Sequence, residues 1–342
     1  MTVRQAIEIA YGHESHTTAV HLERAAAAAG LVADSPAGPL LWVESGQPWL
    51  PSLDAMAGRT TAAWIIDTHR GIGWRRRVAQ AFDLVFVAQR DAVAPMLAAG
   101  VPARWLPLAA PADLVVDAPP LPERPYDVAF VGQAPPGSLR AAVLEALAVR
   151  HRVAPRDGFV TPPRMMARYA SAKVVLNMPL ATDLNMRVFE ATAAGALLVT
   201  GPAVGQDDIL PAGSYVQVDD RSVDAWVAAV SRALADPEVA DRAGEARAAV
   251  LDRHTYGHRA ETLVDALHEP SARRPITNEA RRRALAAGYS RWGKTATAAR
   301  LPATCPARAR AAVEAMGWRA AVEAKRARQR VRRPGPGLAR SR

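Results

Sequence analysis

The chain has 342 residues, 50% apolar and 22% charged, so it can bury a sizeable core, and its length suggests two domains. Its net charge of +10 points first to a polyanionic partner, yet residues 1–270 hold 24 basic and 30 acidic residues while 271–342 hold 19 and 3. No run of about 18 apolar residues could span a membrane. Glu8 and Glu14 interrupt any signal-peptide core, and the lone Cys305 supports neither an internal disulfide nor a cysteine zinc cluster, so a cytoplasmic protein is expected.

Short apolar runs alternate with helical patterns, the signature of parallel sheets covered by helices. Strands are predicted at 5–10, 40–44, 62–67, 84–88 and 104–108, with a helix after the first strand running to about Ala29 and stopped by Gly30. These make one α/β unit, residues 1–110. Pro111, Pro119, Pro120, Pro122 and Pro125 mark residues 111–125 as a linker, because proline joins neither helix interiors nor central strands. A second α/β unit, residues 126–270, follows. It has strands at Tyr126–Gln133, Lys173–Pro179 and Ala196–Thr200, and helices at 138–149, 163–172 and 185–194. Val223, Trp226, Val227, Val230 and Leu234 then recur at helical spacing behind Ser222 as N-cap. Residues 271–342 form a basic, partly helical, partly disordered tail, with helices expected at 281–287 and 309–330.

The most informative stretch is Asn185–Thr200, NMRVFEATAAGALLVT. Arg187 and Glu190 lie one turn apart on a helix of small and apolar residues. One reading is a nucleotide-sugar site, with ribose hydroxyls donating to Glu190 and a diphosphate near Arg187 at the helix N-terminus. The other is a buried Arg187 to Glu190 ion pair holding the helix on the sheet. Gly195 should end this helix, and Gly201 should let the next loop approach a ligand. Asn185, Gly132 and Arg140 complete the donor-binding candidates. In GQAPPGSLR (132–140) the chain leaves a strand and enters a helix, so amides and Arg140 can face a diphosphate, although an ordinary turn with a solvated arginine fits equally well.

Met165–Val199, MMARYASAKVVLNMPLATDLNMRVFEATAAGALLV, resembles the donor-binding signature of group 1 glycosyltransferases, nearest to the CgeB-like branch. Asp83–Pro111, Tyr126–Gln133 and His254–Leu267 are similar to the same branch. The resemblance implies a GT-B fold: two Rossmann-like domains facing a cleft, with the acceptor on the first and the nucleotide sugar on the second. It also implies that Glu190 binds ribose and that Arg187 neutralises the leaving diphosphate in place of a metal. Many relatives carry a second acid eight positions before Glu190; here that position is Thr182, with Asp183 beside it, which leaves the stereochemical outcome open.

In the first unit, WIIDTHRG (64–71) puts Asp67, His69 and Arg70 at the C-terminal end of a strand, where open α/β sheets bind ligands. Asp67 or His69 is the candidate general base, and His13 after the first strand is a weaker one. The alternative is an Asp67 that caps its turn beside a partly buried His69. Asp207 and Asp208 lack further metal ligands at suitable spacing and read as a capped loop. Arg75-Arg76-Arg77 reads as a solvated helix face or an anionic contact.

The expectation is therefore an enzyme transferring a sugar from a nucleotide-diphosphate sugar, UDP- or GDP-linked, to an acceptor hydroxyl without an obligatory metal or cofactor. The acceptor is a polyanion such as modified DNA, a lipid or surface glycan, or a small molecule. Two alternatives remain: a nucleic-acid or anionic-surface binder acting through its tail on a non-catalytic scaffold, and a nucleotide-sugar epimerase. A cytoplasmic location is expected, with the tail able to hold the protein peripherally at an anionic membrane. Tyr289, Trp292 and Trp318 can stack on bases, with packing as the alternative.

Overall fold

The computed structural model describes residues 6–12, 17–33, 38–45, 49–156, 160–269 and 274–291. His13, Trp292, Trp318, Cys305 and the predicted helix over 309–330 lie outside the described residues.

The first unit runs β1 (Glu8–Ala10), α1 (Thr18–Ala28), β2 (Leu40–Val43), α2 (Leu53–Met56), β3 (Thr61–Ile65), α3 (Ile72–Ala79), β4 (Leu84–Val87), α4 (Val93–Leu97) and β5 (Ala103–Trp105). Its five strands are all parallel and lie side by side in chain order. Successive strand residues face opposite layers. Leu41, Val43, Trp64 and Phe86 meet α1 on one face, while Trp42, Ile65, Val85 and Val87 meet α3 and α4 on the other. Burial on both faces explains why these strands read as continuous apolar runs.

The second unit runs β6 (Tyr126–Ala129), α5 (Leu139–Ala148), α6 (Pro162–Ala170), β7 (Ala172–Asn177), α7 (Met186–Ala193), β8 (Leu197–Thr200), β9 (Val216–Gln217), α8 (Val223–Ala235) and α9 (Val239–Arg253). Its four strands are again parallel and in chain order. Local chemistry sets the helix ends as the sequence predicts. Ser138 and Ser222 accept the amide protons of Ala141 and Ala225, and Gly30 and Gly195 end α1 and α7 in left-handed conformations.

Two helices complete the described residues, α10 (Tyr256–His268) and α11 (Asn278–Arg291). Sequence reading places α10 within residues 126–270 and α11 in a tail, and in the structure both pack against the first unit. The chain crosses back at His254–Tyr256: the Ala110 amide donates to the His254 carbonyl at 2.8 Å, and the Tyr256 amide to the Ala110 carbonyl at 3.1 Å. Leu263 and Val264 of α10 then share one core with Leu22 of α1. Ala284 and Leu285 of α11 join Trp74 and Val78 of α3, and Arg281 pairs with buried Asp83 at 3.2 Å. Apolar α11 residues thus cover α3, which a solvated tail would leave exposed. Among the described residues no helix is long and apolar enough to cross a membrane.

Candidate active site

The C-terminal ends of the two sheets' strands meet, His69 after β3 and Gln89 after β4 contacting Asp183 after β7. On the second unit, Asn177 ends β7 and organises the neighbouring side chains. Its amide donates to Thr200 Oγ1 at 3.0 Å, and its Oδ1 accepts from Asn185 Nδ2 and Arg187 Nη1, each at 3.0 Å. Asn185 is the N-cap of α7, its Oδ1 accepting the Arg187 amide at 3.1 Å. Both ends of its side chain are therefore committed to holding the helix start.

Arg187 also donates from Nη2 to the Val131 carbonyl at 2.6 Å and lies 4.9 Å from the Phe130 ring centroid. Its Nε is buried without a partner. Gly132, at φ +146°, is what admits this arginine, since a Cβ there would stand 2.7 Å from Nη2. Arg140, in the first turn of α5, donates to the Gln133 and Met178 carbonyls and approaches the same ring at 6.0 Å. Burial, then the nearby Arg187 charge, depresses its pKa. Two cations thus converge on Phe130, and among the described residues neither is paired with a carboxylate.

Glu190 is buried one turn further along α7, and its Oε1 has no hydrogen-bond partner. Burial raises its pKa to about 7 against the opposing pull of Arg187. The ion pair considered from sequence does not form: Arg187 spends both Nη groups on Asn177 and Val131, while Oε1 of Glu190 stays unpaired. Gly201 also departs from expectation. A Cβ there would press on Pro179 Cδ at 3.1 Å, so its smallness serves loop packing.

On the first unit, Asp67 follows β3 in a left-handed conformation, φ 52°. Its side chain caps nothing and lies 3.4 Å from Arg70 Nη1, so the turn-capping alternative fails. His69, its side chain only 16% exposed, places Nδ1 3.7 Å from Oδ1 of Asp183, which belongs to the second unit. Asp67, His69 and Asp183 bring one ligand atom each within 4.8 Å of one another. That set of two carboxylates and an imidazole could hold a divalent cation, but Arg70 and Gln89 already engage its carboxylates directly.

The first member of the arginine triplet is not solvated. Arg75 forks onto Glu44 with contacts of 2.6 to 3.0 Å, and both side chains are buried. Glu44 also accepts the Ile66 amide at 3.2 Å, fixing the backbone just before Asp67. Burial raises its pKa, the Arg75 charge opposing. Asp207 accepts from the Tyr215 hydroxyl, and Asp208 pairs with Arg90 of the first unit. Asp208 therefore ties the two units together. Glu44, Gln89 and Asn177 escaped the sequence reading; their shared signal is a polar residue closing an apolar strand.

Residues 126–265 match the family described as Glycosyl transferase-like. No curated protein matches the chain in sequence. Among solved structures it is similar to Anabaena HepE in complex with UDP-glucose, at 12% identity and a TM-score of 0.55, over 77% of this chain and 99% of that one. It is also similar to the UDP-forming α,α-trehalose-phosphate synthase of Burkholderia vietnamiensis, at 15% and 0.52 over 74% and 76%. A third is sucrose-phosphate synthase of Thermosynechococcus elongatus, at 13% and 0.51 over 77% and 98%. The chain has the GT-B fold, two Rossmann-like units facing a cleft, and the family match falls on residues 126–265.

Proposed function

We propose that the protein is a glycosyltransferase, CgeB-like, that moves a sugar from a nucleotide-diphosphate sugar to an acceptor hydroxyl without an obligatory metal. One observation carries the reading. Arg187 Nε and Glu190 Oε1 are buried polar atoms without partners, one turn apart on the helix that opens on the cleft. Buried polar groups left unpaired are costly, and a bound ligand would satisfy them. Glu190 accepts from the ribose hydroxyls, and Arg187 with Arg140 stabilises the negative charge that grows on the diphosphate as its bond to the sugar breaks. Asp67 and His69 face the acceptor side, where His69 or Asp67 receives the hydroxyl proton.

UDP-glucose is the first donor to test, because HepE was solved with UDP-glucose and the trehalose-phosphate synthase is described as UDP-forming. Polyanionic, lipid-linked and small-molecule acceptors belong in the same screen for nucleotide release. Glu190→Ala should lower turnover at least about 100-fold, UDP should raise the melting temperature of the wild type, and chelator should leave the rate unchanged. An unaltered rate in Glu190→Ala overturns the site, and isomerised donor among the products favours an epimerase. The reading of a nucleic-acid or anionic-surface binder draws on the charge of residues 292–342, 13 basic against 2 acidic. It predicts binding that needs that stretch and no nucleotide sugar.

A further inference from the structure

The carboxylate of Asp183 is turned away from its own unit. It is 8% exposed and sits in the loop between β7 and α7, behind Ala181 at φ 53°. Its Oδ1 accepts from Nε2 of Gln89, the residue two positions beyond β4 in the first unit, at 2.9 Å. The orientation of that amide follows from its other end. Gln89 Oε1 accepts from both the amide and the hydroxyl of Thr68, each at 3.1 Å, so its NH2 group is what remains for Asp183. Thr68 precedes His69 on the same short turn, and His69 Nδ1 faces the same Asp183 oxygen at 3.7 Å. Thr68, Gln89, Asp183 and His69 thus close a ring of contacts that passes from the first unit to the second and back. It is braced next door, where Arg90 pairs with Asp208 and stacks 5.1 Å from the Trp105 ring. Gly205 fits against that ring only because it lacks a Cβ, which would stand 2.8 Å from Trp105 Cζ2.

We propose that Asp183 of the donor unit is the positioning residue for His69 of the acceptor unit, so that the general base is complete only when the two units close on each other. The proposal rests on the glycosyl-transfer reading and adds a condition to it. With Nδ1–H directed at Asp183, Nε2 is the free basic nitrogen. The acceptor hydroxyl passes its proton to Nε2 while its oxygen bonds the anomeric carbon. The bond from that carbon to the diphosphate breaks, and its electron pair leaves on the diphosphate. Asp183 then faces the imidazolium so formed. Burial holds the Asp183 pKa above the usual carboxylate range; the His69 charge and the Gln89 hydrogen bond oppose this, while Asp67 and Asp91 add repulsion. Arg70 is the nearby cation, through Asp67. A carboxylate supplied by the opposite unit leaves the base unaligned in an open cleft, where a loaded donor is exposed to water.

Asp183→Asn and Gln89→Leu test this with UDP bound. In the wild type the 15N spectrum of the His69 imidazole should show the proton on Nδ1, and in Asp183→Asn that preference should be lost. With a working donor and acceptor, kcat should fall about 100-fold in Asp183→Asn while the donor KM stays within about threefold. Gln89→Leu should shift both readouts the same way by less, and serves if Asp183→Asn does not fold. An unchanged imidazole spectrum overturns the pairing. A raised donor KM with unchanged kcat overturns it as well and makes Asp183 a donor ligand. If the wild type turns over no nucleotide sugar, the glycosyl-transfer reading falls, and the spectra still decide whether Asp183 holds His69.

Discussion

Glu190 is a carboxyl that folding makes harder to ionise. Burial raises its pKa from 4.5 to about 7, so between those values the folded protein binds a proton that the unfolded chain releases. The stabilising contribution is present in full below about pH 4.5 and is lost as pH rises through about 7, up to about 3 kcal/mol. Glu190→Gln should flatten that part of the pH dependence and raise the melting temperature at pH 8, as thermal unfolding across pH 5 to 8 would show. Ribose hydroxyls favour the charged carboxylate, so UDP should bind more tightly above pH 7 than below, and calorimetric titration in Glu190→Gln should lose this dependence. Gly132 is constrained by the neighbouring Arg187. In Gly132→Ala the new methyl would displace the guanidinium and strain a backbone at φ +146°, costing about 1 to 3 kcal/mol. Affinity for UDP should fall with it, a loss that titration of the folded variant would register.

At the scale of elements, the strands were legible because both faces of each sheet are covered, which leaves no polar alternation to confuse the apolar runs. Site residues at strand ends were legible in part. Asp67 and His69 drew notice as ionisable groups, whereas Gln89 and Asn177 are neutral amides whose importance lies in what they hold, namely Asp183 and Arg187. Nothing in a linear sequence shows that a loop of one unit delivers its carboxylate to the other. The return of α10 was equally hidden, since it depends on pairing with residues about 145 positions away. Arg259 is its anchor. Its Nε donates to the Pro107 carbonyl at 2.8 Å and its Nη2 to Leu108 at 3.2 Å, and burial lowers its pKa to about 10, so it stays charged at neutral pH. Arg259→Ala strands those carbonyls and should cost about 2 to 4 kcal/mol in denaturant unfolding. A chain ending at residue 273 should be destabilised as well, because it uncovers Trp74 and leaves Asp83 without Arg281.

For the whole molecule, the position of α11 redraws the charge boundary. Through residue 291 the chain holds 30 basic and 31 acidic residues, and residues 292–342 hold 13 and 2. The body is therefore close to neutral, and several of its arginines are spent internally, Arg75 on Glu44, Arg281 on Asp83 and Arg90 on Asp208. Exposed arginines such as Arg150, Arg221 and Arg232 remain on this near-neutral body, while on the proposed reading Arg187 and Arg140 receive a diphosphate. The excess of positive charge lies in residues 292–342, so salt-sensitive affinity for nucleic acid is expected to come from them, and deleting them keeps α11 and the core it covers. The full chain should bind duplex DNA with a logarithmic affinity that falls steeply with logarithmic salt, in proportion to the phosphates neutralised. The chain ending at residue 291 should lose that slope while keeping its melting temperature and its turnover of a small acceptor. Retention of the slope would move the polyanion site onto the two-unit body. Loss of turnover together with the slope would mean that the basic stretch contributes to transfer itself, beyond choosing where transfer takes place.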